Sequence, residues 1–278
     1  MTFDRCHAAL GFAAVLLVTL AHAPARAGSA SVWSQDTKSA VRLIGGSNKS
    51  GAPLRAGIEI KMQPGWHTYW RYPGDSGVPP RFDFSGSDNV KSATVSFPAP
   101  HLFTDETGSS IGYKDGVIFP VAIVPKDPTK PVNVRLKIDY AVCEKMCVPA
   151  EGKAELALGP GPSTADTALT EAEARVPTKT AAAEIGLTAR RVNDAAKPMV
   201  AVDLTARDNA PVQIFVEGPT PEWALPIPKP APGAPAGHRH FSFELDGLPP
   251  GASPTGSYDL TFTIVEGGRA MEVTAHLD

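Results

Sequence analysis

Cysteine is scarce in this chain: three in 278 residues. One of them, Cys6, lies in the amino-terminal segment, so only Cys143 and Cys147 fall within the expected mature protein. That excludes a multi-disulfide scaffold. No CxxC pair and no His-x-x-x-His pattern is present, which leaves zinc without a ligand set. There is no Walker loop, no Gly-rich dinucleotide fingerprint and no Ser/His/Asp order of a hydrolase. Excess positive charge is missing as well. The formal net charge is −3, and taking away Arg5, Arg26 and Asp4 with the leader makes it −4, which argues against nucleic acid or an anionic membrane as partner. After the leader, no run is apolar enough to span a membrane. Long helical periodicity is nearly absent.

What is there begins with a leader. Arg5 supplies a basic start, Ala8 to Leu20 an apolar stretch, and Ala25-Arg26-Ala27 a small-x-small cleavage signal. We expect residues 1–27 to be a secretory signal peptide, a retained anchor being the less favoured reading. Export implies an oxidising compartment, in which two cysteines can pair.

Proline and glycine are plentiful, with 28 and 25 copies, and short apolar alternations recur between them. This suits an all-β fold with many turns. The expected architecture is two β-sandwich domains, residues 28–158 and 183–278, joined by a short linker, 159–182, with a helix in it. Leu54, Ala56, Ile58, Ile60 and Met62 alternate as a strand, and Gly116 to Val124 reads as a buried one. Residues 101–113 are polar and Gly-containing and read as a loop. The helix, over 163–176, would be capped by Ser163 or Thr164 and stopped by Pro177. In the second half, Val200-Val202-Leu204, Val212-Ile214-Val216, Phe241-Phe243-Leu245, Tyr258 to Ile264 and Met271 to Leu277 alternate. Glu266-Gly267-Gly268-Arg269 marks a hairpin turn.

The stretch that carries chemistry is Tyr140-Ala-Val-Cys-Glu-Lys-Met-Cys-Val-Pro-Ala150. Val132, Val134, Leu136, Ile138, Tyr140 and Val142 make an alternating apolar face, which puts Cys143 on the polar face within reach of a reagent. On one straight strand, residues four apart are roughly 13 Å from each other, too far for a disulfide. A three-residue loop, Glu144-Lys145-Met146, would instead place the two cysteines opposite each other on antiparallel strands, a spacing that suits a disulfide. So small a ring stabilises a fold weakly, which favours a redox pair over a staple. Two other readings stay open: a plain stabilising disulfide, and a soft Cu(I) site using both thiolates, Met146 and His67 or His101. Lys145 can lower a thiolate pKa or simply be solvated. His238 and His240 share a strand face. Trp66, Tyr69, Trp70 and Tyr72 are either a binding surface or the rim of a sandwich.

Taken with Gly65-Trp-His-Thr-Tyr-Trp-Arg-Tyr-Pro-Gly-Asp-Ser-Gly-Val-Pro-Pro80 and Gly112-Tyr113, the Cys143-x3-Cys147-Val-Pro-Ala motif resembles the amino-terminal periplasmic domain of the DsbD thiol:disulfide interchange family, most closely its ScsB branch. The resemblance covers about residues 38–158, and more weakly the second half. It implies an immunoglobulin-like sandwich in the periplasm with a reversible Cys143–Cys147 disulfide. It further implies that Cys143 and Cys147 are the catalytic pair and that no cofactor is used. Electrons would come from a membrane-embedded thiol donor and pass to oxidised periplasmic thiol proteins. Full family members carry a multi-span membrane segment and a thioredoxin-like module, neither of which these residues contain, so the donor would be a separate protein. Cys147 is favoured as the partner-facing cysteine and Cys143 as the resolving one. In the better-known branch an aromatic loop shields the cysteines; the matching region here offers Phe103 and Tyr113, with Trp70 and Asp75 as further contact candidates. Copper tolerance and non-catalytic binding are the alternative functions.

Overall fold

The structure, a computed structural model, describes residues 28–48, 53–74, 77–105, 108–192, 197–206 and 210–278. The expected signal peptide and Asp75 lie outside the described residues.

The fold is all-β with one helix. The first half carries β1 (Ser34–Gln35), β2 (Ser39–Gly45), β3 (Leu54–Met62), β4 (His67–Gly74), β5 (Arg81–Asp83), β6 (Val90–Val95), β7 (His101–Asp105), β8 (Gly108–Lys114), β9 (Gly116–Pro125), β10 (Val132–Cys143) and β11 (Cys147–Leu158). One sheet runs β1-β2-β3-β9-β6 and the facing sheet β11-β10-β4-β8-β7, with β5 paired to β10. The alternation in the sequence explains this arrangement. Val132, Val134, Leu136, Ile138, Tyr140 and Val142 all point into the interior, against Val41, Ile58, Ile60 and Phe119 of the other sheet. Each fully buried side chain of this size contributes about 1.5–3 kcal/mol. Tyr140 and Ser39 tie the sheets together with a hydroxyl–hydroxyl bond of 2.6 Å. Residues 101–113, expected as a loop, form most of the β7–β8 hairpin instead. Ile111 and Tyr113 supply its buried face, and Gly112 lets β8 approach β4 closely, since a Cβ there would collide with the Thr68 carbonyl.

Next comes α1 (Asp166–Ala174), followed by β12 (Thr178–Lys179), a 3-10 turn at Ala182–Ile185, β13 (Thr188–Val192), β14 (Met199–Thr205), β15 (Val212–Glu217), β16 (Lys229–Ala231), β17 (His238–Glu244), β18 (Tyr258–Glu266) and β19 (Arg269–Leu277). These strands make two four-stranded sheets, β12-β19-β18-β15 and β13-β14-β17-β16, around a second buried cluster. The helix is not a free spacer. Leu169 packs where Gly57 leaves room, and Arg55 reaches Asp166 at 3.2 Å and Glu173 at 2.8 Å. Its N-cap is Ala165, not Ser163 or Thr164. Asp166 occupies the first turn, accepts the Ser47 amide and hydroxyl, and has its pKa lowered chiefly by those bonds.

An apolar seam joins the two halves. Phe215 of β15 belongs to the first core and meets Trp70 with ring centroids 5.9 Å apart. Ile227 and Val265 pack there too. Arg71 of β4 reaches Glu217 at 2.7 Å and Glu272 at 2.6 Å, and the Tyr72 hydroxyl donates to the Leu225 carbonyl.

Candidate functional site: the Cys143–Cys147 hairpin

β10 and β11 pair without a break from Val132↔Leu158 to Cys143↔Cys147. Glu144, Lys145 and Met146 form the loop between them, all exposed, Met146 by 73%. The cysteines are bonded, with their Cα atoms 4.1 Å apart. That spacing belongs to a non-hydrogen-bonded antiparallel pair, in which side chains lie closest.

The two sulfurs differ in access. Cys147 is exposed, whereas Cys143 is 8% exposed. This corrects the expectation that Cys143 sits on an open polar face. The cause is β4: it pairs with the end of β10 in the register Cys143↔His67 and Val142↔Thr68, and Thr68 Oγ1 donates to the Ala141 carbonyl at 2.8 Å. The Tyr69 side chain then lies over Ala141 and Cys143 in a small buried cluster.

Tyr69 is 1% exposed, yet its hydroxyl lies 3.0 Å from Cys147 Sγ. A disulfide sulfur has no proton, so the phenol is the donor. The ring is held from behind by Gly77, where any Cβ would collide with it. His67 stands beside Tyr69, edge to face at 5.5 Å, and stacks on Phe103 of β7 at 4.9 Å and 22°. The β7–β8 hairpin thus brings one aromatic residue to the site through His67. Beneath the disulfide, on the other face of the hairpin, a groove of about 330 Å³ is lined by Trp66, Val142, Met146, Val148 and Pro149 together with Asp36, Thr37, Lys38, Glu144 and Lys145.

The structure does not bring all the singled-out residues here. Trp70 is a core residue with no exposure, against the seam. Tyr113 is also core; its hydroxyl donates to the Pro98 carbonyl at 2.8 Å, and burial pushes its phenol pKa well up. Of the two cap candidates only Phe103 faces the site. Asp75 is outside the described residues. His240 pairs with Asp203 at 3.0 Å. Among the described residues no group of three or more His, Cys, Asp or Glu side chains stands together as a metal cage. The sequence offers Tyr69 only as one of four aromatics, binding surface or sandwich rim; its odd position on β4, on the face opposite Thr68 and Trp70, is the available signal.

A Ser257–His276–Asp259 arrangement does exist, at 2.8 and 2.7 Å, on the surface of the second half. Asp278 also reaches His276 Nε2 at 3.0 Å. With carboxylates at both nitrogens the imidazolium is favoured, and its pKa is raised, chiefly by the Asp259 bond.

The family model described as "Thiol:disulfide interchange protein DsbD, N-terminal" matches residues 40–158. Residues 40–158 form a DsbD N-terminal-type domain. The crystal structure of the N-terminal periplasmic domain of ScsB from Proteus mirabilis superimposes with a TM-score of 0.72 at 20% identity, covering 90% of this chain and 98% of that chain. Its likeness shows the fold, and it runs well beyond the DsbD-type domain. A chimeric titin Z1Z2 also aligns, at 10% identity and a TM-score of 0.20, too low to carry weight. No curated protein matches the chain. No helix among the described residues is long and apolar enough to cross a membrane.

Proposed function

We propose that this protein is a periplasmic thiol–disulfide exchange module that passes reducing equivalents through the Cys143–Cys147 pair. One observation carries the reading: within a DsbD-type domain, the disulfide presents one exposed sulfur, Cys147, with a buried phenol bonded to it, and keeps Cys143 covered.

In the reduced protein the Cys147 thiolate attacks a sulfur of the partner's disulfide. A partner–Cys147 bond forms, and the partner's other sulfur leaves as a thiolate. The Cys143 thiolate then attacks Cys147 Sγ, closing the internal disulfide and releasing the partner's remaining thiolate. Two electrons pass to the partner, and the two protons lost by the cysteine pair balance those its thiolates take up. A membrane-embedded thiol donor restores the dithiol by the reverse sequence. Tyr69 donates to Cys147 Sγ and stabilises it as a thiolate, both when it attacks and when it departs.

The deciding experiment is the equilibrium reduction potential of the pair in glutathione or dithiothreitol buffers, read by thiol-trapping mass shifts. A value of roughly −120 to −270 mV fits an exchange module. A value below about −300 mV marks a structural staple and ends this reading.

A further inference from the structure

The six-stranded sheet ends at β11, so among the described residues one side of that strand has no neighbouring strand of its own. The middle of this edge is covered in another way. The Glu151 amide donates to Asp36 Oδ2 at 3.0 Å and the Lys153 amide to Ser34 Oγ at 3.2 Å. Side chains from β1 and the residue just after it thus satisfy the edge, as native proteins do to prevent unwanted pairing.

Those two bonds fix which way the strand faces. In an antiparallel strand, alternate residues direct both N–H and C=O to the same side. If Glu151 and Lys153 face outward, so do Cys147 and Pro149. The partner strand agrees: Ala141 directs its carbonyl away from β11, to Thr68. Cys147 therefore offers a donor and an acceptor at the open edge. Pro149 offers an acceptor alone. The cover stops at Asp36, one outward position short of Pro149. Among the described residues, no hydrogen bond covers the piece of edge that carries the exposed sulfur.

Resting on the exchange reading, we propose that the edge at Cys147–Pro149 receives an extended segment of the redox partner as an added strand. Backbone bonds to Cys147 and to the Pro149 carbonyl bring the partner's cysteine level with Cys147 Sγ. Side chains alternate across a strand. The partner's cysteine then shares the face of Cys147 and Tyr69, and the residue next to it turns to the other face, over the groove of Trp66, Val142, Val148 and Met146. These four side chains, the apolar part of a wall that also carries Asp36, Lys38, Glu144 and Lys145, select an apolar neighbour. Strand addition of this kind takes affinity from the main chain and selectivity from alternate side chains. Proline at 149 leaves no donor at that position, so the partner residue opposite it is held by its amide alone.

The test uses the whole reduced protein and synthetic pentapeptides of valine with a central cysteine, activated as the mixed disulfide with thionitrobenzoate. Attack by Cys147 forms the peptide–Cys147 disulfide and expels coloured thionitrobenzoate, whose appearance gives the rate. Two twins of the peptide are N-methylated, one on each set of alternate amides, so that each lacks the donors along one edge only. We expect one twin to react about tenfold more slowly than the parent, the loss of one or two hydrogen bonds, and the other to match it within about twofold. Equal rates for the two twins overturn the added strand. If neither the peptides nor free dithionitrobenzoate react at Cys147, it is the exchange reading that fails. A Cys143→Ser variant traps the peptide adduct on Cys147 for mass mapping.

Discussion

The hydroxyl of Tyr69 stands 3.0 Å from Sγ of Cys147, although the rest of the Tyr69 side chain is buried against Cys143. One side chain therefore covers one sulfur and hydrogen-bonds the other. On the exchange reading the same hydroxyl donates to the Cys147 thiolate of the reduced protein, and a bond to a charged acceptor contributes about 1.5–3 kcal/mol. Tyr69→Phe keeps the ring and removes the donor. We expect the Cys147 thiol pKa to rise by about one unit or more, read from the pH dependence of iodoacetamide alkylation, with little change in melting temperature. An unshifted profile would remove the role assigned to this phenol.

Phe103 reaches the site only through its stack on His67, which pairs with Cys143 on the neighbouring strand. Phe103→Ala should therefore expose Cys143 more than Cys147. In the reduced protein, site-resolved mass spectrometry should show alkylation of Cys143 accelerating several-fold, on the order of 1 kcal/mol of lost cover, while Cys147 changes little. Equal rates at both cysteines before and after substitution would mean that Phe103 shields nothing.

Arg71 is held by two carboxylates, Glu217 and Glu272, and its guanidinium pKa is pushed above the ordinary value by bonds to both, against the cost of burial. Removing the cation leaves two like charges facing each other in a partly buried seam. Arg71→Ala should cost on the order of 3 kcal/mol, a fall of roughly 6–12 °C in melting temperature. Arg71→Ala combined with Glu217→Gln should recover part of the loss. A double variant no better than the single would show that packing, not charge, carries the effect.

His276 gives a pH signature. Its pKa is raised by the bond to Asp259, with the charge of Asp278 adding to it. A raised folded pKa means that the imidazolium is favoured in the folded state. Its contribution is complete below the ordinary imidazole pKa of about 6.5 and is lost as pH rises through the folded value. Between about pH 5.5 and pH 8.5 the wild type should lose a small increment of melting temperature that His276→Gln does not lose. Equal losses in both proteins would assign the increment elsewhere.

The cysteine hairpin was legible because two local signals agreed: a long alternation ending at Cys143, and a spacing that only a turn can close. The covering of Cys143 was not legible. Alternation tells which face a residue takes but not whether another strand crosses that face, and here β4 does, from 76 residues upstream in the Cys143↔His67 pair. The β7–β8 hairpin was hidden by its polar tip and glycines; only Ile111 and Tyr113, two positions apart, hint at a buried face. The partners of Arg71 lie 146 and 201 residues away, beyond the reach of any local pattern.

β4 carries His67 and Tyr69 at the disulfide and, two and three residues on, Arg71 and Tyr72 in the seam with the second sandwich. The second sandwich is in this sense part of the wall behind the exposed sulfur. The portable unit, for recombination between genes or for grafting into an engineered reductase, is consequently the whole two-sandwich block. A cut made between the sandwiches would strip Phe215 from a core it helps to fill.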